Sequence, residues 1–303
     1  MVDPASMQAL QRDGAVCLRN VIDQTWLDRL AVAVERDIAD PGPFWHRYES
    51  SSGRFHGNSV CWIRHPEFED YVFDSPLPQL ACDLLGSTKA NLLYDQVFIK
   101  EPGTSAPTPW HHDHCVWPLQ GHQVISFWLA LDYVDQGNGR VEYIKGSHLW
   151  EGLFQPESFS KSAITYETDP RFRPMPDIAG HPERYEIVSW DLAPGDVIAF
   201  YSRTVHGAAS MTNSTRRRRG YTVRYCGDDV TYDPSFKFLP FLRNPDLVQG
   251  DVLDSQLFPV VWQDGKRPQR PRRPDMEELL AATARMQAQA LRPADAGNAT
   301  RQP

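Results

Sequence analysis

NLLYDQVFIKEPG, residues 91–103, is where the chain changes character. Upstream of it, apolar residues recur at helical spacing. Within it they crowd into a short run rich in Leu, Val, Ile, Phe and Tyr that stops at a Pro-Gly turn, which predicts a strand. The pattern continues downstream. VISFWLALDYV (124–134) is a second strand, and RVEYIKGSH (140–148) follows the turn DQGNG. EIVSWDLAPGDVIAFYSRTVHGAAS (186–210) holds two more strands joined by the turn APGD, and RGYTVRYCG (219–227) is a late one. From residue 90 to 227 strands dominate with no alternating helices. This favours an antiparallel sandwich over a doubly wound parallel sheet.

MQALQRDGAVCLRNVI (7–22) reads as a short helix and then a strand, and TWLDRLAVAVERDIAD (25–40) as an amphipathic helix. Residues 41–62 are rich in Gly, Ser, His and aromatics and predict a loop bordering a cleft. FEDYVFDSPLPQLACDLLG (68–86) is helical in two pieces, broken near Pro76 and Pro78. Residues 151–186 read as a long insertion. The expected organisation is one domain over residues 1–263, with a helical flank (1–89) and a strand core (90–263) carrying that insertion. Residues 264–303 add a basic, Pro-rich linker, one possible helix and a frayed end.

The composition, 41% hydrophobic and 23% charged, fits a soluble globular protein. Thirty-one basic against 39 acidic residues gives a net charge of −8, which argues against a nucleic-acid binder. No secretory signal and no run of eighteen apolar residues is evident. The five cysteines, at 17, 61, 82, 115 and 226, are odd in number and widely spaced. They read as reduced thiols of a cytoplasmic protein.

PTPWHHDHCVWP (107–118) packs three histidines and an aspartate into four positions. On a strand, His111 and Asp113 share a face, and His112 and His114 point the other way. One imidazole and one carboxylate leave room for a third ligand in a facial triad, the arrangement that suits non-heme Fe(II). His206 is the best candidate, because it closes a strand and precedes the small residues GAAS. His122, His148 and His181 are the others, and spacing does not choose among them. Zinc accepts the same donor set, but no HExxH motif is present. In TRRRRGYTVRY, Arg216–Arg219 form either a phosphate-binding surface or a strand start with an inward Arg. An inward Arg would call for a carboxylate ligand.

PGTSAPTPWHHD, FWLALDYVDQGNGRVEYIKGSH, LAPGDVIAF, HGAAS and RRGYTVRY, taken in order, resemble the phytanoyl-CoA dioxygenase family of Fe(II)- and 2-oxoglutarate-dependent oxygenases. The resemblance implies a double-stranded β-helix, a cupin-like jelly roll flanked by helices. It implies that His111, Asp113 and His206 hold iron, with 2-oxoglutarate and O2 as co-substrates. It also implies that an Arg about a dozen positions after the distal His grips 2-oxoglutarate. Strand register gives that role to Arg218, and counting from His206 gives it to Arg217. Trp128 matches a tryptophan kept near the site, and Lys100 could reach the cofactor. Gly139, Gly146 and His148 match structural positions, with His148 holding a loop. His112 stands where Gln is common and should point away from the metal. The intact carboxylate at Asp113 makes hydroxylation the default over halogenation. Desaturation, epoxidation and ring formation use the same opening steps.

The expected substrate is a free small metabolite, amino-acid-like or from secondary metabolism. Tyr94, Gln96, Trp110, Trp117, Arg140, His56, Arg54 and Trp62 are the cleft candidates. An acyl-CoA would need a wide basic channel. A nucleic-acid demethylase would use Arg216–Arg219 as a phosphate track. A non-catalytic cupin-like binding protein and a zinc hydrolase are the remaining alternatives.

Overall fold

Helix α1 (Pro4–Asp13) begins where the Asp3 carboxylate accepts the Ser6 backbone N–H. It ends at Gly14, whose φ of 85° is the left-handed cap that favours glycine. Strand β1 (Ala15–Leu18) and helix α2 (Gln24–Ala39) follow, then strands β2 (Trp45–Tyr48) and β3 (Phe55–Ser59) and helices α3 (Pro66–Asp74) and α4 (Leu77–Leu85). The break between α3 and α4 falls at Ser75–Pro76, as the prolines predict. Next come β4 (Lys89–Lys100), β5 (Thr108–His111), β6 (Leu119–Gln120), β7 (Val124–Ala130), β8 (Val141–Ile144), β9 (Leu153–Phe154) and β10 (Phe172–Arg173). Strands β11 (Ile187–Ser189), β12 (Val197–Tyr201), β13 (His206–Ala208), β14 (Arg218–Cys226), β15 (Thr231–Tyr232) and β16 (Val260–Gln263) complete the strand-rich part, and α5 (Met276–Ala290) follows. This computed structural model describes residues 2–48, 53–104, 107–156, 168–211, 215–236, 238–243 and 246–290. The middle of the expected 151–186 insertion and the tail segment expected to fray lie outside the described residues.

Two antiparallel sheets make the core. The larger runs β1-β12-β7-β14-β4-β3-β2, with β16 also paired to β4; the smaller runs β11-β8-β13-β5. They close on a shared filling of Trp128, Ala130, Ile198 and Phe200 from the larger sheet and Tyr143 from the smaller. The rings of Tyr143 and Phe200 are 5.2 Å apart. On the outer face of the larger sheet, Phe68 and Tyr71 of α3 lie 4.7 and 5.4 Å from the ring of Tyr221. The result is the expected jelly roll with helices outside. Strand β4 is covered on both faces, which is why residues 91–99 read as a nearly continuous apolar run and not as a clean alternation.

The structure corrects or adds to the sequence reading in three places. The strand read in residues 7–22 is β1, but the helical flank does not stop short of the sheet: β1 pairs with β12 and β3 pairs with β4, so residues before 90 extend the larger sheet at both ends. Part of the 41–62 stretch is a hairpin of β2 and β3 and not a loop. Its polar composition hides the strands, and the β4 edge supplies the pairing that local pattern does not reveal. The turn APGD joins strands of different sheets, β11 and β12, and so carries the chain across the roll.

The basic segment after β16 lies against α3. Arg270 bridges Asp70 at 2.8 Å and Asp74 at 2.5 Å, and Arg273 reaches Glu69 at 2.5 Å. Arg267 donates to the backbone carbonyls of Phe73, Asp74 and Ser75, where the helix ends and its unpaired carbonyls attract cations.

Candidate metal centre and cofactor pocket

Strands β5 and β13 are antiparallel neighbours, and His111 and His206 sit directly opposite each other. Their ring centroids are 4.2 Å apart. Each Nδ1 lies against a backbone carbonyl, Pro109 O at 2.8 Å for His111 and Thr204 O at 2.9 Å for His206. A carbonyl only accepts, so Nδ1 carries the hydrogen and Nε2 presents its lone pair. Both Nε2 atoms face Asp113 Oδ1, at 3.6 Å from His111 and 3.9 Å from His206. The three ligand atoms fall within 4.8 Å of one another, which suits a shared metal ion. After His206, room is tight: a Cβ on Gly207 would meet Thr108 O at 3.0 Å and the Trp110 ring at 3.2 Å, and those neighbours would have to give way.

Asp113 joins the histidines by a different route from the one strand alternation predicts. β5 ends at His111, and Asp113 has helical backbone, φ −75° and ψ −30°, at the start of a 3-10 turn over His114–Val116. The turn, and not the pleat, returns its carboxylate to the His111 side. His112 points elsewhere and accepts the Phe154 backbone N–H at 2.9 Å, and His114 bonds Ser202 Oγ at 2.9 Å. His122 and His181 are exposed. His148 contacts Gln11 O at 3.2 Å and packs on Tyr201, outside the cluster.

Electrostatics favour ligation. Burial, and then neighbouring His111, hold His206 down to about 4, so its lone pair is available at neutral pH. Burial alone would raise Asp113, but Arg224, His111 and His206 together hold it well below the usual carboxylate range.

Strand β14 lays a row of side chains along the inside of the roll: Arg218, Gly220, Thr222 and Arg224, at every second position. Arg218 is buried, donates to the Gly139 carbonyl and sits 5.6 Å from the centre of the Trp128 ring. Its β4 partner across the ladder is Lys100, also fully buried. Burial, followed by the nearby Arg218, pulls Lys100 down to about 6. With Lys100 held neutral, the buried Arg218 guanidinium is the charge that an anion here would stabilise. Several buried polar atoms on this inner face have no protein partner: Arg218 Nε, Thr222 Oγ1, Ser126 Oγ, Tyr143 Oη and Arg224 Nη1. Buried polar groups are rarely left unpaired, so the residues present fit a small dianion such as 2-oxoglutarate.

The other arginines of the run take different partners. Arg217 binds Glu35 at 2.6 Å and Glu101 at 2.8 Å, Arg219 grips Asp132 at 2.7 Å, and Arg216 pairs with Asp135. The run is therefore not a free phosphate track, because each surface arginine faces a carboxylate.

The cleft candidates divide. Tyr94 and Gln96 share the inner face of β4 with Lys100, and Trp117 donates to Tyr94 Oη at 3.2 Å. His56 is buried, with Nε2 3.7 Å from Glu101 Oε1. Trp110 lies on the far side of β5 from His111, among Ile144, Phe154 and Val205. Trp62 belongs to the helix-covered face and packs on Phe73. Arg54 is exposed. Arg140 pairs with Asp191 at 2.8 Å, in a surface cleft with Asp135 and Arg216. Composition suggested these last four, but neither strand phase nor fold brings them to the metal cluster. Sequence reading missed Arg224, Thr222, Ser126 and Tyr143. The signal for Arg224 was present: it stands six residues after Arg218, in phase on the same strand.

Comparison with known proteins follows the same line. A family model described as phytanoyl-CoA dioxygenase matches residues 10–220. Dioxygenase aneA of Aspergillus aculeatus is 22% identical over 253 residues, covering 78% of this chain and 76% of its own. The non-heme α-ketoglutarate-dependent carbocyclase SnoK from nogalamycin biosynthesis superposes with a TM-score of 0.68 at 24% identity, covering 86% of this chain and 96% of its own. The epimerase SnoN, solved with Fe3+, α-ketoglutarate and a nogalamycin species, gives 0.68 at 23%, covering 86% and 100%.

Proposed function

The chain belongs to the phytanoyl-CoA dioxygenase family, and from that premise we propose that it oxidises a free small metabolite, with hydroxylation of a C–H bond as the default outcome. It is an iron- and 2-oxoglutarate-dependent oxygenase. We assign the catalytic domain to residues 1–263 and place the protein in the cytoplasm, where its five cysteines stay as thiols. None of its described helices is long and apolar enough to cross a membrane. The observation that carries the assignment is the convergence of two imidazole Nε2 atoms and one carboxylate oxygen in a roll that also buries an incompletely paired arginine, Arg218.

His111, Asp113 and His206 would hold the metal. Arg218 takes the far carboxylate of 2-oxoglutarate by charge-assisted hydrogen bonds, and Lys100 adds a second cation once protonated. Trp128 walls that end of the pocket. When bound, the ferrous ion and 2-oxoglutarate supply the oxidising power, with O2 consumed and succinate and CO2 released. The protein's own work is to orient the co-substrates and exclude water, which the jelly-roll interior does with Tyr143, Phe200 and Trp128. Tyr94, Gln96 and Trp117 line the substrate side. Because solved relatives of the same fold include a carbocyclase and an epimerase, the product must be read and not assumed.

The test is anaerobic loading with Fe(II) and 2-oxoglutarate, then a metabolite screen for oxygen-dependent succinate with product mass. We expect one iron per chain and substrate-triggered succinate, both lost in His111→Ala, Asp113→Ala and His206→Ala. Hydrolysis that ignores oxygen, or metal loading untouched by all three substitutions, would reject the assignment.

A further inference from the structure

Arg224 is a buried cation, 4% exposed, for which metal ligation and 2-oxoglutarate binding leave no task. Burying a guanidinium in a core is expensive unless an anion repays it. The anion here is Asp113: Arg224 Nε lies 3.4 Å from Oδ2. The two oxygens of Asp113 therefore face different partners. Oδ1 looks towards both imidazoles, and Oδ2 looks towards the arginine.

The arginine is itself fixed from several sides. Its Nη2 donates to Gln96 Oε1 at 3.3 Å. Its guanidinium carbon lies 4.4 Å from the centre of the Tyr94 ring and 5.6 Å from that of Trp117. Those two rings are tied together by the bond from Trp117 Nε1 to Tyr94 Oη. Strand phase sets the height of Arg224, the aromatic pair sets its lateral position, and Gln96 sets its rotation.

A carboxylate can bind a metal through one oxygen or through both. In a two-histidine, one-carboxylate site the difference matters, because a second oxygen would take one of the open positions that co-substrates need. Resting on the metal-centre reading above, we propose that Arg224 is a positioning residue: it withholds Oδ2 of Asp113 and so limits that side chain to a single ligand atom. The consequence is specific. Loss of Arg224 should spare metal binding and harm the seating of 2-oxoglutarate, whereas a merely structural arginine would affect both together or neither.

The experiment uses the full chain loaded with Co(II), whose visible bands report coordination number. Wild type, Arg224→Met and Arg224→Lys are titrated with Co(II) and then with 2-oxoglutarate, and their melting curves are recorded. We expect Arg224→Met to hold Co(II) within about threefold of wild type but with an altered visible spectrum. Its 2-oxoglutarate Kd should rise by about tenfold or more, a change of at least about 1.4 kcal/mol. Arg224→Lys keeps a charge within reach of Oδ2 and should recover part of both changes. Spectra and 2-oxoglutarate affinity identical to wild type in Arg224→Met overturn the proposal. So does equal loss of metal in both variants. If Arg224→Met does not fold, Arg224→Lys decides: retained Co(II) with an altered spectrum and weakened 2-oxoglutarate binding supports the proposal, and either lost metal or no change in both rejects it. Failure of wild type to bind cobalt would instead sink the metal-centre reading.

Discussion

Arg218 and Arg217 are adjacent in sequence and opposite in environment. Arg218 is inside the roll with an unpartnered Nε, and Arg217 is at the surface between two glutamates. Hydrogen bonds to charged groups contribute about 1.5–3 kcal/mol. Arg218→Ala should therefore raise the 2-oxoglutarate KM by roughly 10- to 100-fold, at about tenfold per 1.4 kcal/mol. Arg217→Ala should leave it nearly unchanged, and steady-state kinetics with varied 2-oxoglutarate distinguish the two. Lys100 yields a second prediction. Its folded pKa of about 6 lies below the ordinary 10.5, so between those values the unfolded chain carries the extra proton. The ligand-free protein should therefore gain stability as pH rises through that window and lose it as pH falls towards 6. A dianion seated beside Lys100 favours its charged form. Binding of 2-oxoglutarate near pH 8 should thus take up close to one proton, visible by calorimetry in buffers of different ionisation heat. Lys100→Met should abolish the uptake. No uptake in wild type would remove Lys100 from the cofactor pocket.

Strand β14 concentrates most of what matters on one face, and Gly220 shows how little room remains there. A Cβ at that position would sit 2.2 Å from the Trp128 ring. Overpacking of this kind costs about 1–3 kcal/mol. Gly220→Ala should lower the melting midpoint by several degrees, at roughly 2–4 °C per kcal/mol for a chain of this size. It should also shift Trp128 from its place beside Arg218, which tryptophan fluorescence on 2-oxoglutarate titration would report. The sequence made this strand legible as a strand, and the alternation Arg218, Gly220, Thr222, Arg224 was readable once its phase was known. The phase itself was not readable, because four consecutive arginines offer two equivalent answers. Strand alternation puts Asp113 on the His111 side, whereas in the structure a turn brings it there, since nothing in HHDH announces that the strand stops at His111. Tyr143 and Ser126 were invisible, because an unpaired hydroxyl is a property of the closed roll and not of any local word.

For the whole molecule, the docked basic segment gives a test of tail and body together. Arg270 and Arg273 are about one-third exposed, so each ion pair adds only about 0.2–1 kcal/mol, less at high salt. The double substitution Arg270→Ala/Arg273→Ala should lower the melting temperature by a few degrees, from about 0.2–1 kcal/mol for each of three pairs at roughly 2–4 °C per kcal/mol. It should nevertheless speed proteolytic removal of the C-terminal segment, and wild type should show the same acceleration as ionic strength rises. Equal cleavage rates in the two proteins would mean that other contacts hold the segment. The sequence identified this stretch as basic and Pro-rich but not its partner, because the acids of α3 lie some two hundred positions away.

The pairing of β1 with β12 has a temporal consequence. Ala15 meets Phe200 and Leu18 meets Val197, so β1 leaves the ribosome long before β12, the strand it pairs with, has been made. High contact order of this kind slows folding and leaves an early edge unprotected. The nascent chain should therefore need chaperone cover from β1 until β12 has emerged, and that edge of the sheet should close only then.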